Sequence, residues 1–152
     1  MSRREFFFLK KIDLCLLFKQ KTKKMGYTVS WEQLPFSDIT YKIVCKLVPS
    51  VIKVKFALHL WGFVVGDTEN DCVAVERFPT QMTYVKTNRF PYTKDVMKTL
   101  ILMVEYGAAH NLDHDDTDMS WFLEALNEVN IIHPLVSYTM QKEYFEKKAL
   151  KP

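Results

Sequence analysis

Residues 52–61 read Ile-Lys-Val-Lys-Phe-Ala-Leu-His-Leu-Trp, and this stretch decides the predicted fold class. All five even positions are apolar, whereas the odd positions hold two lysines, an alanine, a histidine and a tryptophan. Side chains alternate between the two faces of a β-strand, so an apolar residue at every second position indicates a strand with one face on a core. We therefore predict a strand whose even-numbered face is buried.

The residues that follow predict a hairpin. Residues 66–71 are Gly-Asp-Thr-Glu-Asn-Asp, a composition typical of turns, and residues 72–78 are again rich in β-formers. We predict an antiparallel hairpin over residues 52–78, and residues 82–86 could supply a third strand.

The remaining segments have helical periodicity. Ser37 or Asp38 is placed to cap a helix that ends near Val48, before Pro49. Three further helices are predicted over residues 94–106, 119–129 and 134–149, the first of them closed by Gly107. The predicted fold class is α+β, with one small antiparallel sheet packed against one N-terminal and three C-terminal helices.

The first 24 residues differ in charge from the rest. They hold eight basic and two acidic residues, a net charge of +6, and the whole chain carries +3, so the remainder carries −3. We expect residues 1–25 to form a basic leader outside the fold and residues 26–150 to form a single domain. The leader has three open interpretations, which are translation that starts at Met25, a membrane-surface or targeting segment, and a nucleic-acid-binding tail.

The cysteines and the apolar runs bear on location. Three widely spaced cysteines (Cys15, Cys45 and Cys72) do not form an even disulfide framework, and we interpret them as buried thiols. No run of 18 apolar residues predicts a membrane-spanning helix. We expect an intracellular protein, cytoplasmic or nuclear.

One dense polar cluster could hold a metal ion. His110, Asp113 and His114 provide imidazole and carboxylate groups, the ligand types that zinc takes. The segment follows Gly107 and precedes a predicted helix, so we interpret it as a loop whose acidic residues stabilise the helix N-terminus. Elsewhere the sequence has no phosphate-binding glycine loop, no serine-nucleophile motif and no cofactor fingerprint. We expect a non-enzymatic protein without a cofactor.

The leading functional hypothesis is a protein-interaction or regulatory protein. Its predicted contact face is the odd-numbered face of the strand, with Lys53, Lys55, His59 and Trp61. On this interpretation, substitution of Lys55 and Trp61 by alanine should weaken partner binding without unfolding the domain. Lysines beside aromatic rings on a sheet face could also bind nucleic acid, which is a second alternative.

A family resemblance supplies the other alternative. Trp31-Glu-Gln-Leu34-Pro35, followed by Ile39, Ile43, Leu47 and Pro49, resembles the opening of an F-box. The resemblance implies a three-helix adaptor that docks on a Skp1-type adaptor in a cullin-type ubiquitin ligase, and it requires a helix over residues 51–61. The layout of a β-rich front and a helical back without a catalytic signature also resembles that of small viral accessory proteins, which implies action on host factors.

Overall fold

A computed structural model describes residues 27–68, 71–79, 83–87, 92–115 and 118–150, without the side chains of residues 27 and 83–87. The predicted leader over residues 1–25 lies outside the described residues. The described elements, in chain order, are β1 (Tyr27–Gln33), α1 (Asp38–Val51), β2 (Phe56–His59), β3 (Gly62–Gly66), β4 (Cys72–Glu76), β5 (Thr83–Thr87), α2 (Tyr92–Glu105), β6 (Ala109–His114), α3 (Ser120–Ile132) and α4 (Tyr138–Ala149).

The strands form two antiparallel three-stranded sheets. The first has the order β5-β1-β6, so its strands come from the beginning and the middle of the chain. The second has the order β2-β3-β4 and is a meander of consecutive strands. Gly62 allows β3 to approach β4 closely, because a Cβ atom at this position would lie 2.0 Å from the carbonyl oxygen of Val75.

Helix α2 is the centre of the molecule. It contacts β1 and β6 of the first sheet, β3 of the second sheet, and both α1 and α3. Most of its side chains are therefore buried, including Asp95 and Lys98, which are only 1% and 4% exposed. One apolar core joins α2 to the inner faces of both sheets.

The helix ends follow the capping rules. The Ser37 side chain accepts a hydrogen bond from the backbone N–H of Thr40, and the Thr40 hydroxyl accepts one from the N–H of Ser37, which is a capping box. Gly107 has φ 76° just after α2, the left-handed conformation that glycine supplies at a helix C-terminus. Both predicted end signals are confirmed.

The α+β prediction is confirmed, since the described residues form four helices and two antiparallel three-stranded sheets. Three details of it were wrong. α1 continues through Pro49 to Val51, because a proline in the last turn of a helix forfeits only one backbone hydrogen bond there. The strand then begins at Phe56 and not at Ile52. The third strand, found at Thr83–Thr87, pairs with β1 in the other sheet and not with the hairpin.

Candidate interaction surface

The chain turns between the end of α1 and the start of β2, and we call this segment the corner. It sets the direction of β2. The carboxylate of Asp95 accepts hydrogen bonds from the backbone N–H groups of Lys53 and Val54, both at 3.2 Å. The carboxylate of Asp67 accepts one from the N–H of Lys55 at 2.9 Å. Two carboxylate side chains therefore accept hydrogen bonds from three backbone N–H groups of the corner.

A partly buried ionic network supports the same corner from α2. The Lys98 ammonium donates to the carbonyl oxygen of Val51 at 3.1 Å and to Glu128 of α3 at 2.8 Å. Burial raises the pKa of the Asp95 carboxyl, although its backbone hydrogen bonds and Lys98 act in the opposite direction. Burial would also raise the pKa of Glu128, but the hydrogen bonds from Lys94 and Lys98 leave it lowered. The network joins α1, α2 and α3 at the point where β2 starts.

One edge of β2 has no neighbouring strand among the described residues. β2 is the first strand in the order β2-β3-β4. The Gly66 N–H donates to the carbonyl oxygen of Lys55 at 2.9 Å, and hydrogen-bonded pairs alternate along an antiparallel ladder. The backbone groups of Ala57 and His59 therefore face β3, whereas those of Phe56 and Leu58 point toward the outer edge.

Large apolar side chains are exposed at the end of the molecule where β2 turns into β3. We call this group the turn-end surface, and its members are Leu34, Ile39, Leu58, Leu60 and Phe78. Leu58, Leu60 and Phe78 are 61%, 75% and 65% exposed. These residues were not recognised as a surface from the sequence, because the period-2 pattern assigns Leu58 and Leu60 to a buried face.

Arg77 brings the segments of the turn-end surface together. Its N–H donates to the carbonyl oxygen of Trp61 at 2.8 Å, and its own carbonyl oxygen accepts from the N–H of Phe36 at 3.3 Å. Its guanidinium pairs with Asp38 at the start of α1 and lies over the Tyr41 ring, 4.7 Å from the centroid. The side chain and backbone of Arg77 thus join the β2–β3 turn, the end of β4 and the start of α1.

The four residues of the contact face predicted from the sequence lie at two separate places in the structure. Lys53 and Lys55 are exposed in the corner before β2, whereas His59 and Trp61 lie at the other end of β2. The rings of His59 and Trp61 stack with centroids 5.0 Å apart. Trp61 also packs on a small apolar cluster on the outer face of the second sheet, with Val64 and Cys72. The lysines and the aromatic pair therefore lie at opposite ends of β2.

The F-box residues occupy a fold that differs from the one the resemblance implies. Leu34, Pro35 and Ile39 are exposed around the start of α1, whereas Leu47 packs against the core and Ile43 is half-buried. Residues 56–59 form a strand where an F-box has a helix. The chain thus lacks the three-helix arrangement over residues 34–61.

The polar cluster around His110 is a strand, β6, and not a loop, so the loop interpretation was wrong. Asn111 has φ 54° and forms a bulge opposite the β1 segment from Ser30 to Glu32. As a result His110 is exposed and pairs with Glu32, whereas His114 is buried, with Nε2 3.0 Å from the Met119 sulfur.

The third member of the predicted metal site also has another partner. Asp113 is exposed and forms an ion pair with Lys148 of α4 at 3.0 Å. Within the described part of the chain, no three His, Cys, Asp or Glu side chains are grouped as they would be to bind a metal ion. The three residues that the sequence suggested as metal ligands thus each contact a different partner.

Two cysteines fall within the described residues and they differ. Cys45 is a half-buried free thiol, and burial raises its pKa, which disfavours the reactive thiolate. Cys72 is buried and disulfide-bonded. The prediction of three simple buried thiols was therefore wrong for Cys72.

Comparison with protein families, curated proteins and solved structures finds no match for this chain. No helix of the described residues is long and apolar enough to cross a membrane.

Proposed function

We propose that this chain is a protein-binding domain that acts through non-covalent contacts, with the turn-end surface as its contact face. The observation that supports this proposal is the exposure of Leu58 on β2, of Leu60 in the β2–β3 turn and of Phe78 after β4, the last two on segments that the hydrogen bond from Arg77 to Trp61 joins. Large apolar side chains that stay exposed together on ordered elements are typical of protein interaction sites.

The segments that carry the turn-end surface are well anchored. Phe63 of β3, which pairs with Leu58, and Val75 of β4, which pairs with Phe63, are fully buried, and the Arg77 contacts hold the start of α1 against the same end. An anchored apolar surface loses little conformational entropy when a partner binds, which favours affinity.

A second exposed apolar group provides a matched control. Ile131, Val136 and Met140 are exposed where α3 turns into α4, on elements separate in sequence from the turn-end surface. Serine substitutions in the two groups remove similar apolar area, so a difference between the two variants identifies the contact face.

The test compares affinity capture from cells that naturally express the chain. The double variant Leu58→Ser with Leu60→Ser should lose specifically captured proteins about tenfold or more, whereas Ile131→Ser with Val136→Ser should retain them. Both variants must give the circular dichroism spectrum and the cooperative unfolding of the original chain. Equal capture by the two variants would contradict the proposed contact face.

A further inference from the structure

The disulfide at Cys72 has a partner that the number of cysteines identifies. The chain holds three cysteines, Cys15, Cys45 and Cys72. Cys45 is a free thiol, whereas Cys72 is disulfide-bonded. Within a single chain, Cys15 is therefore the cysteine that remains to pair with Cys72. It belongs to the residues that precede β1, residues 1–26, which we call the N-terminal segment.

Cys72 lies on the outer face of the second sheet, where the neighbouring side chains are small. Val64 is at the centre of this face and pairs with Ala57 of β2 and Ala74 of β4. The residues two positions before and after Val64 on β3 are both glycines, and they lie on the same face. A valine between two alanines and two glycines projects above the surface around it.

Val64 and Cys72 are nevertheless only 6% and 3% exposed. In the part of the chain that the structure describes, every side chain that packs with them comes from the second sheet or its β2–β3 turn. The largest of these, Trp61, precedes the start of β3, whereas Cys72 pairs with the last residue of β3. Since alanine side chains are too short to enclose a valine, part of the cover comes from outside the described ranges.

The residues around Cys15 have the apolar character that such a cover needs. Residues 14–18 read Leu-Cys-Leu-Leu-Phe. A disulfide brings the Cα atoms of its two cysteines within about 7 Å of each other, which would place these residues beside Val64. The chain from Cys15 to Tyr27 can extend about 40 Å, which is comparable to the diameter of a compact domain of this size. The length of the chain therefore allows the bond.

We infer that the outer face of the second sheet is the docking surface of the N-terminal segment, which a disulfide between Cys15 and Cys72 holds in place. Residues 14–18 cover Val64 and the alanines beside it. The inference goes beyond the proposed function and is independent of it, since no member of the turn-end surface belongs to this apolar cluster.

Formation of the bond is an oxidation. The thiols of Cys15 and Cys72 each lose a proton and their sulfur atoms become joined, while the two electrons reduce a small-molecule disulfide, such as glutathione disulfide, to two thiols. A dithiol reductant reverses the reaction. Without the bond, docking must overcome the full conformational entropy of the N-terminal segment, so reduction should release it from the sheet.

The first test maps the disulfide in the full chain after equilibration with glutathione disulfide. Free thiols are blocked with N-ethylmaleimide, and the chain is digested with trypsin, whose cleavage sites flank each cysteine. Mass spectrometry should find residues 12–19 joined to residues 56–77, with maleimide on Cys45. The inference is wrong if Cys72 carries maleimide, or if it is joined to Cys45 or to a second copy of the chain.

The second test asks whether the N-terminal segment covers the sheet as well as being bonded to it. In the oxidised full chain with labelled methyl groups, the methyl protons of Val64 should show nuclear Overhauser effects to side chains of residues 14–18. Val65 is the matched control, because it points into the core from the next position and should show none. A disulfide-bonded chain without these contacts at Val64 would overturn the docking surface.

The third test separates the disulfide from the other thiol. Trypsin should cleave after Lys19 about tenfold faster in Cys15→Ser than in the oxidised original chain, because an undocked segment is open to the protease. Reduction of the original chain should have the same effect. Cys45→Ser removes the free thiol and should be cleaved at the original rate, and both variants should keep the original circular dichroism spectrum. Equal cleavage of the two variants would overturn the role of the disulfide in docking.

Discussion

At the residue scale, Asp95 is the side chain on which the corner before β2 most depends. Asp95→Ala would leave the N–H groups of Lys53 and Val54 without an acceptor, and we expect a loss of about 2–4 kcal/mol in the free energy of unfolding. Asp95→Asn keeps an acceptor oxygen and should cost about 1 kcal/mol or less. Urea denaturation of the two variants measures the difference. Equal losses would show that the charge of Asp95, and not its role as an acceptor, holds the corner.

The raised pKa of Asp95 predicts a pH dependence of stability. Between the ordinary value of 3.8 and the raised value, the unfolded chain releases its proton before the folded chain does. The contribution of Asp95 to stability is therefore fully present below the ordinary pKa and declines as the pH rises through the folded pKa. Asp95→Asn lacks this titration.

The measurement is the difference in unfolding free energy between the original chain and Asp95→Asn, followed from about pH 3.5 to pH 6. The difference should shift against the original chain as the pH rises. A shift in its favour would mean that the pKa of Asp95 is lowered in the folded state.

At the scale of elements, the bulge in β6 depends on a backbone conformation that most residues disfavour. Asn111 has φ 54°, which asparagine and glycine adopt more readily than β-branched residues do. Asn111→Val should reduce the free energy of unfolding by about 1–3 kcal/mol, and Asn111→Gly by about 0.5 kcal/mol or less. Thermal denaturation of the pair tests this, and equal melting temperatures would argue against a strained bulge.

Substitution of Trp61 and substitution of Lys55 should have different effects on the free energy of unfolding. Trp61 packs on the outer apolar cluster of the second sheet, so Trp61→Ala should reduce the free energy of unfolding by about 1–3 kcal/mol. The described hydrogen bonds of Lys55 involve its backbone, and Lys55→Ala should change stability by about 0.5 kcal/mol or less. Chemical denaturation of both variants measures this; an equally stable Trp61→Ala would mean that the ring contributes no packing.

Some elements could be predicted from the sequence because their signals are local. The cap at Ser37, the glycine after α2 and the β3–β4 hairpin depend on short, local patterns. The turn between β2 and β3 was missed, because the apolar pattern continues through it and predicts one uninterrupted strand. β6 was missed because the bulge at Asn111 breaks its alternation, so that His110 and Asn111 are both exposed. The pairing of β5 with β1 joins residues more than 50 positions apart, and no local pattern encodes it.

At the scale of the whole molecule, the period-2 pattern describes only the first half of its segment correctly. Ile52, Val54 and Phe56 pack against the core and the two lysines are exposed, as expected, whereas Leu58 and Leu60 are exposed against expectation. Residues 52–61 were expected to expose the odd positions and bury the even ones. Within this segment only Phe56–His59 is a strand, and it lies at a sheet edge, where Leu58 is exposed because no further strand of the described residues covers it. Edge position is a property of the assembled sheets, so alternation along one strand could not reveal it.

The most direct test of the central claim is site-specific photo-crosslinking from the surface itself. A benzoyl-phenylalanine residue at position 60, in cells that naturally express the chain, should crosslink a specific protein, and the same residue at position 140 should not. Crosslinking of that protein from position 60 alone is the result that our account predicts. The same protein crosslinked from position 140, with none from position 60, would contradict it.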